Sequence, residues 1–176
     1  MTDWESIAGL RVIGRLSDML KRRWHLGLSF AEPDGTPVKG EVFSRLCPNR
    51  PVCLLVQSTK EGRLSCDRIA ERALERWRGD LERGAQPIEC HAGLVEYFVP
   101  LEVEGQLQGL VLAGGALCQR MEEHQRRIAL KRGDELGLGS QQVTGALERS
   151  AVLTPEDEKT ISELLELVVE EILVYR

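Results

Sequence analysis

Three runs of strand-forming residues follow one another closely in the middle of the chain and constrain its fold more than any other feature. They span residues 88–92, 94–102 and 107–112, and Glu104-Gly105 suits a tight turn between the last two. Parallel neighbours would need a long crossover connection, which these short linkers do not provide. The sequence therefore predicts an antiparallel sheet.

Amphipathic helices are predicted at both ends of the chain. Apolar residues recur at three- and four-residue spacing from about residue 4 to residue 24. Thr154-Pro155, followed by acidic residues, is a strong helix start, because a hydroxyl caps the helix and proline fits its first position. We expect this last helix, about residues 154–175, to pack on the N-terminal helix, within one subunit or across a dimer.

The segments before the sheet predict a hairpin and a loop. Asp34-Gly35 is a favoured hairpin centre, with Val38 in the return strand. Prolines and an asparagine between residues 43 and 51 predict a loop that holds Cys47. Farther along the chain, Gly114 and Gly115 are expected to close the sheet.

Two further helices are predicted inside the chain. Residues 64–81 place Cys66 on an apolar helical face. Residues 121–131 form a charge-rich helix. Its basic cluster, with acidic residues on either side, is interpreted as a solvated face and includes Arg126, Arg127, Lys131 and Arg132.

These elements predict an α+β architecture: a central antiparallel sheet flanked by helices, with long helices at both termini. The chain has 176 residues, enough to bury a self-sufficient core. We expect one domain over residues 1–176, with its core at about 25–118 and terminal helices at about 4–24 and 154–175.

Charge and composition disfavour two classes of partner. The net charge is -5 and aromatic residues make up 5% of the chain, so direct nucleic-acid binding is not expected. No apolar run approaches membrane-spanning length, and the first residues lack the features of a signal peptide. The predicted location is the cytoplasm.

Five cysteines are the main candidates for chemistry: Cys47, Cys53, Cys66, Cys90 and Cys118. In a reducing compartment they are more often buried apolar side chains, metal ligands or redox sensors than disulfide partners. A shared thiolate site would use Cys53, Cys66 and Cys90, with Cys47 preferred over His91 as fourth ligand, to hold zinc or an iron-sulfur cluster. Paired C-x2-C knuckles are absent, so convergence has to be tertiary.

His91 and the aromatic residues have alternative interpretations. His91 is a metal ligand, a donor to a bound ligand, or a core histidine. Cys90 and His91 can share a site only if the chain bends at Ala92-Gly93, because neighbours on a strand face opposite sides. Trp77, Tyr97 and Phe98 line a small apolar pocket or belong to the core.

An enzyme is the less expected class. A thiol nucleophile would pair Cys90 with His124 or His25, but the sequence places neither histidine nearby. There is no phosphate-binding loop, serine elbow or paired zinc-protease histidines.

Several segments together resemble the PocR-type sensory domain. The order of the motifs is the same, and the resemblance covers about residues 5–175. The five-residue block Cys90-His91-Ala92-Gly93-Leu94 is the most specific, and the others are Val52-Cys53-Leu54-Leu55-Val56, Gly62-Arg63-Leu64-Ser65-Cys66, Pro100-Leu101-Glu102-Val103-Glu104-Gly105 and Leu107-Gln108-Gly109.

The resemblance implies a variant of the PAS fold that binds a small organic molecule ahead of a DNA-binding or histidine-kinase output module. The three family cysteines correspond to Cys53, Cys66 and Cys90, whereas Cys47 and Cys118 are additions. It also implies a ligand contact at Gly114. Family members tend to have glycine followed by glutamine there, and this chain has Ala113-Gly114-Gly115-Ala116.

Three functional hypotheses follow. The first is a cytoplasmic sensory domain that binds a small organic effector or a cysteine-ligated metal centre, forms a homodimer, and transmits through its terminal helices to an output partner. Its candidate ligand contacts are Trp77, His91, Phe98 and Gly114. The second is a thiol-based redox or metal-binding module without an organic ligand. The third is an interaction adaptor whose pocket has degenerated.

Overall fold

The computed structural model describes residues 2–46, 50–79 and 84–174. In chain order, the elements are α1 (Trp4–Ala8), α2 (Arg11–Trp24), β1 (Gly27–Ala31), α3 (Glu41–Leu46), α4 (Pro51–Gln57), α5 (Lys60–Asp67), α6 (Ile69–Gly79), β2 (Gln86–Glu89), β3 (Val95–Val103), β4 (Gln106–Cys118), α7 (Glu122–Glu135), α8 (Ser140–Glu148), β5 (Val152–Leu153) and α9 (Pro155–Val174).

The central sheet is antiparallel, as predicted. Its strands lie in the order β1-β4-β3-β2, and the short β5 pairs in parallel with the end of β4. The predicted return strand after Asp34-Gly35 is reduced to a single bridge between Ala31 and Pro37. With helices packed on the sheet, the fold is α+β and consistent with a PAS-like domain.

Strand β4 is longer than predicted. It does not end at Gly114 and Gly115 but continues to Cys118. The register with β3 shifts beside Val95 and Glu96, and Gly115 has a positive φ of 99°. A β-bulge therefore forms at Gly115, so the glycine bends the strand instead of ending it.

The terminal helices cover one face of the sheet. Helix α9 packs against α2, β3 and β4. At its start, the Asp157 amide donates to Thr154 Oγ1 at 3.2 Å, and the Thr154 amide donates to Asp157 Oδ2 at 3.1 Å, so the predicted cap is present. The predicted helix at residues 4–24 is two helices, because Leu10 is extended, with φ -62° and ψ 135°.

Helices α4 to α8 cover the opposite face. The predicted helix at residues 64–81 is divided between α5 and α6 at Arg68, and residues 80–83 lie outside the described ranges. The predicted loop at residues 43–51 overlaps the end of α3 and the start of α4. Neither α8 nor β5 was expected from the sequence. Across the described ranges, no helix has the length and apolar character needed to cross a membrane.

Candidate functional site: a cavity between the sheet and helices α4 to α6

A cavity of about 170 Å³ lies on the sheet face opposite the terminal helices. Its walls come from β1, β3 and β4, from the hairpin after β1, from helices α4 to α6 and from the turn after β2. The residues that line it are Ser29, Phe30, Ala31, Pro37, Val38, Arg50, Cys53, Val56, Gln57, Cys66, Asp67, Ile69, Ala70, Cys90, His91, Ala92, Glu96 and Leu112.

Three of the predicted site cysteines meet at this cavity. Cys53 comes from α4, Cys66 from α5 and Cys90 from the turn after β2, and all three line the cavity. Cys47, the preferred fourth ligand, lies outside the described residues. Cys118 is buried in the core on the other sheet face. The fold therefore brings together thiols that are far apart in the sequence.

A tight turn lets Cys90 and His91 face the same cavity. The Cys90 amide donates to the Leu94 carbonyl at 2.7 Å, and the Gly93 amide donates to the Cys90 carbonyl at 3.0 Å. Gly93 has a φ of 79°, and a Cβ there would lie 2.7 Å from the Gln125 carbonyl oxygen. Glycine is required by both the turn and the approach of α7, and the strand bend that a shared site needs is present.

The hydrogen bonds of His91 determine its protonation state. Arg132 Nε lies 3.1 Å from His91 Nδ1, and Cys66 Sγ lies 3.3 Å from His91 Nε2. A guanidinium can only donate, so Nδ1 accepts and Nε2 carries the ring proton. Burial, followed by the charges of Arg132 and Arg72, lowers the pKa of His91 below its usual value. A neutral His91 therefore donates to the Cys66 sulfur.

Arg132 connects α7 to the cavity wall. Besides His91, it binds Ser65 Oγ at 3.0 Å and the carboxylates of Glu61 at 3.1 Å and Glu135 at 3.0 Å. Its side chain is 15% exposed. The prediction that the cluster containing Arg132 forms a solvated face is wrong at this residue, because the guanidinium turns inward to hold the His91 ring.

Arg50 and Glu96 form a buried ion pair at another cavity wall. Arg50 Nη1 lies 3.1 Å from Glu96 Oε1 and donates to the Gly114 carbonyl at 2.6 Å, and both side chains are 11% exposed. Burial raises the pKa of Glu96, while the guanidinium partly opposes the shift. The pair adds a strong dipole to the cavity wall, but its positive and negative charges balance.

Two glycines of β4 make room for this pair. A Cβ at Gly114 would lie 2.5 Å from the Glu96 Cα and Oε2, and a Cβ at Gly115 would overlap the Arg50 side chain. Gly114, a predicted ligand contact, does not itself border the cavity. The Gly114 carbonyl instead binds Arg50, and the Arg50 side chain borders the cavity.

Burial favours the uncharged form of two cavity thiols, Cys66 and Cys90. Burial raises the pKa of Cys90 to about 12, with Glu96 and Cys53 adding to the shift. Burial also raises the pKa of Cys66. A thiolate is the reactive form of cysteine, so these two side chains act as small, weakly polar walls.

The two predicted aromatic contacts lie elsewhere. Phe98 is fully buried in a small apolar cluster with Ala73, Leu74 and Leu110, and Trp77 packs against the same cluster. Neither side chain borders the cavity. Tyr97 points to the opposite sheet face, where its hydroxyl donates to Glu158 at 2.8 Å.

The donor set for a metal centre is incomplete within the described ranges. There, no group of three or more histidine, cysteine or carboxylate side chains is close enough together to hold an ion. The nitrogen of His91 nearest the thiols carries a proton in the observed hydrogen bonds. The residues described therefore do not by themselves fit zinc or an iron-sulfur cluster.

Three residues that shape this site, Arg50, Glu96 and Arg132, were missed by sequence reasoning. Glu96 left a signal, because it interrupts a continuous apolar run in β3 and a carboxylate there must find a partner. Arg50 and Arg132 left none, because their roles depend on tertiary contacts with β4 and with the turn at His91.

The fold is that of a PAS-like domain with a small, partly enclosed cavity under its helices. A family model described as the sensory domain found in PocR matches residues 9–174. The chain belongs to this family, which is one of sensory domains and not of enzymes. The search of curated proteins and the search of solved structures each returned no match.

Proposed function

We propose that this chain is a cytoplasmic signal-sensing domain that binds a small, uncharged organic effector in the cavity between the sheet and helices α4 to α6. The observation that carries the proposal is the meeting of Cys66, Cys90 and His91 with the Arg50–Glu96 pair around one cavity. The first candidate ligand contacts are His91 and the cavity cysteines. Trp77, Phe98 and Gly114 support the surrounding walls.

The cavity size supports a small effector. Its volume is about 170 Å³, and a cavity of about 150 Å³ holds a benzene-sized molecule. Apolar walls from Val56, Ile69 and Leu112 would contact the carbon atoms of such a ligand. The Ser29 hydroxyl and the Cys66 thiol, which the His91 ring orients, would contact its polar group.

The charge balance supports an uncharged effector. Arg50 is matched by Glu96 at 3.1 Å, and His91 is neutral because Arg132 occupies its Nδ1. A charged ligand would lose its hydration without meeting an unbalanced opposite charge, and that loss is costly in a buried site. A hydroxyl or carbonyl compound would not carry this penalty.

Transmission to the C-terminal helix is proposed through strand β3. Glu96 faces the cavity, and its neighbour Tyr97 faces α9, because consecutive strand residues point to opposite sides. Tyr97 donates to Glu158 at 2.8 Å, and Arg120 binds the same carboxylate at 3.2 Å. A ligand that displaces Glu96 would therefore shift the anchor of α9.

In this proposal α9 passes the signal to an output module, such as a transcription regulator, and its exposed side supports a homodimer. Leu167 is 57% exposed and Val174 is 81% exposed on that helix. The effector could switch α9 between two packings only if it binds the protein more tightly in one packing than in the other.

Native mass spectrometry with elemental analysis tests the proposal. The protein is purified without added metal and screened against uncharged organic molecules of up to about benzene size. We expect a single bound organic molecule, no stoichiometric zinc or iron, and loss of binding in Ala70→Leu, which fills the cavity. Leu130→Ala on the exposed side of α7 is the control and should bind normally, because Leu130 lies outside the cavity lining.

Stoichiometric metal, with binding of organic molecules unaffected by Ala70→Leu, would contradict the proposal. It would favour instead the thiol-based metal module, with Cys47 completing the ligands.

A further inference from the structure

The hairpin at residues 32–40 forms one side of the cavity and is only lightly attached to the sheet. Pro37 and Val38 line the cavity. The hairpin is joined to β1 by the Ala31–Pro37 bridge and by the Val38 amide donating to the Phe30 carbonyl at 2.9 Å, while the Glu32 amide donates to the Thr36 carbonyl at 2.9 Å within the hairpin. This short pairing contrasts with the full ladder between β1 and β4.

The junction of α5 and α6 faces the hairpin across the cavity. Asp67, Ile69 and Ala70 line this second side. Lys39 Nζ reaches over to Asp67 Oδ2 at 2.6 Å, and the two side chains are 66% and 44% exposed. At the hairpin tip, Gly35 has a φ of 89° and lies so close to α6 that a Cβ would be 2.9 Å from the Glu71 amide nitrogen.

We propose that the hairpin at residues 32–40 is the entrance gate of the cavity and that the Lys39–Asp67 ion pair is its latch. The inference rests on the proposed function, because a gate has a role only if the cavity admits a ligand. An exposed ion pair contributes little to stability. It can therefore open without unfolding the domain, and the hairpin can swing from β1 while β1 stays paired with β4.

The latch is electrostatic, so its strength should fall with ionic strength. Screening at high salt weakens attraction between exposed charges. The buried ion pair of Arg50 and Glu96 is shielded from salt and should stay intact. Salt should therefore open the gate while the cavity walls stay in place.

The native cysteines provide the probe. Iodoacetamide is added to the native protein, and peptide mapping by mass spectrometry measures the alkylation rate of each thiol. Cys53, Cys66 and Cys90 line the cavity, and Cys118 lies in the core on the other sheet face. The cavity thiols report gate opening, and Cys118 reports general unfolding.

Charge reversal separates the latch from other effects. We expect Lys39→Glu to raise the alkylation rate of Cys66 about threefold to tenfold, since it replaces an exposed attraction with a repulsion. The double variant Lys39→Glu with Asp67→Lys should restore the slow rate, once each rate is divided by that of the same variant unfolded in urea, because the charge at residue 67 also changes the reactivity of the neighbouring thiol. Lys159→Glu disrupts another exposed pair, 3.7 Å from Glu163 on α9, and should leave the rate unchanged.

Two further measurements sharpen the test. Added sodium chloride should speed Cys66 alkylation in the wild type and have less effect in Lys39→Gln. Gly35→Ala, which pushes the hairpin tip away from Glu71, should also speed Cys66 alkylation.

Equal Cys66 rates in the wild type and Lys39→Glu, or no rescue by the double variant, would overturn the gate. Because alkylation needs no effector, an empty effector screen would count against the proposed function and not against the gate.

Discussion

The two faces of the central sheet are built differently. Toward the terminal helices, side chains from β1, β3 and β4 join α1, α2, α3 and α9 in one continuous core. Toward α4 to α8, the buried residues form two separate clusters, and a cavity of about 170 Å³ lies beside them. The same strands thus support a filled face that stabilises the fold and an unfilled face that is free to bind.

Removing the Glu96 carboxylate, which lies on the unfilled face, should have the largest effect on stability. Glu96→Ala leaves Arg50 buried without its ionic partner, and we expect a loss of about 3–5 kcal/mol in the free energy of unfolding. Urea denaturation at neutral pH measures it. Asp67→Ala removes half of an exposed pair and should cost less than about 1 kcal/mol. Similar losses in both variants would show that the Arg50–Glu96 pair is not shielded from water.

Enlarging an alanine on each face gives a second contrast in stability. Ala113 is fully buried on the filled face, so Ala113→Leu should destabilise the protein by about 1–3 kcal/mol through overpacking. Ala70 is also buried but borders the cavity, and Ala70→Leu should destabilise the protein less than Ala113→Leu because the added methyl groups can extend into the cavity. Thermal and urea unfolding of the two variants compare them. An equal loss in both would remove the distinction between the faces.

Tyr97→Phe tests the connection between the faces. It removes the hydroxyl that donates to Glu158, and a hydrogen bond to a charged group contributes about 1.5–3 kcal/mol. Effector binding should persist, because Tyr97 lies outside the cavity, while the effector-induced change in hydrogen exchange along α9 should disappear. If α9 still responds in Tyr97→Phe, the signal leaves by another route.

Acidification should weaken the fold through His91, with the smallest effect. Its pKa is lowered in the folded protein, so the unfolded chain binds more protons below the ordinary value of 6.5. The stabilisation is fully present above that pH and is lost as the pH falls, when a proton on Nδ1 would displace Arg132. Urea unfolding between pH 7.5 and about 5 should show a steeper decline in the wild type than in His91→Gln. Parallel curves of unfolding free energy against pH in the two proteins would contradict a neutral His91 in the folded state.

Local patterns predicted the elements whose causes are local. The antiparallel strands follow from short connections, and the start of α9 follows from the reciprocal bonds between Thr154 and Asp157. The interruptions at Leu10 and Arg68 were missed, because apolar spacing continues across both positions and tertiary packing decides where each helix ends.

The cavity was only partly predictable. The resemblance indicated that Cys53, Cys66 and Cys90 belong together, and the structure places all three at one cavity. Trp77 and Phe98 were candidate ligand contacts because they are aromatic, but their helical and strand faces turn toward a separate cluster. The partners of His91 come from α5 and α7, and no sequence spacing encodes that meeting.

A crystal structure of the protein bound to an organic effector found by the mass spectrometry screen would locate the binding site. We expect ligand density between Cys66, His91 and Leu112, with the Arg50–Glu96 pair at its edge. Density in the groove between α4 and α8, beside Leu54 and Arg149, or in the cleft between α2 and α9, would contradict it.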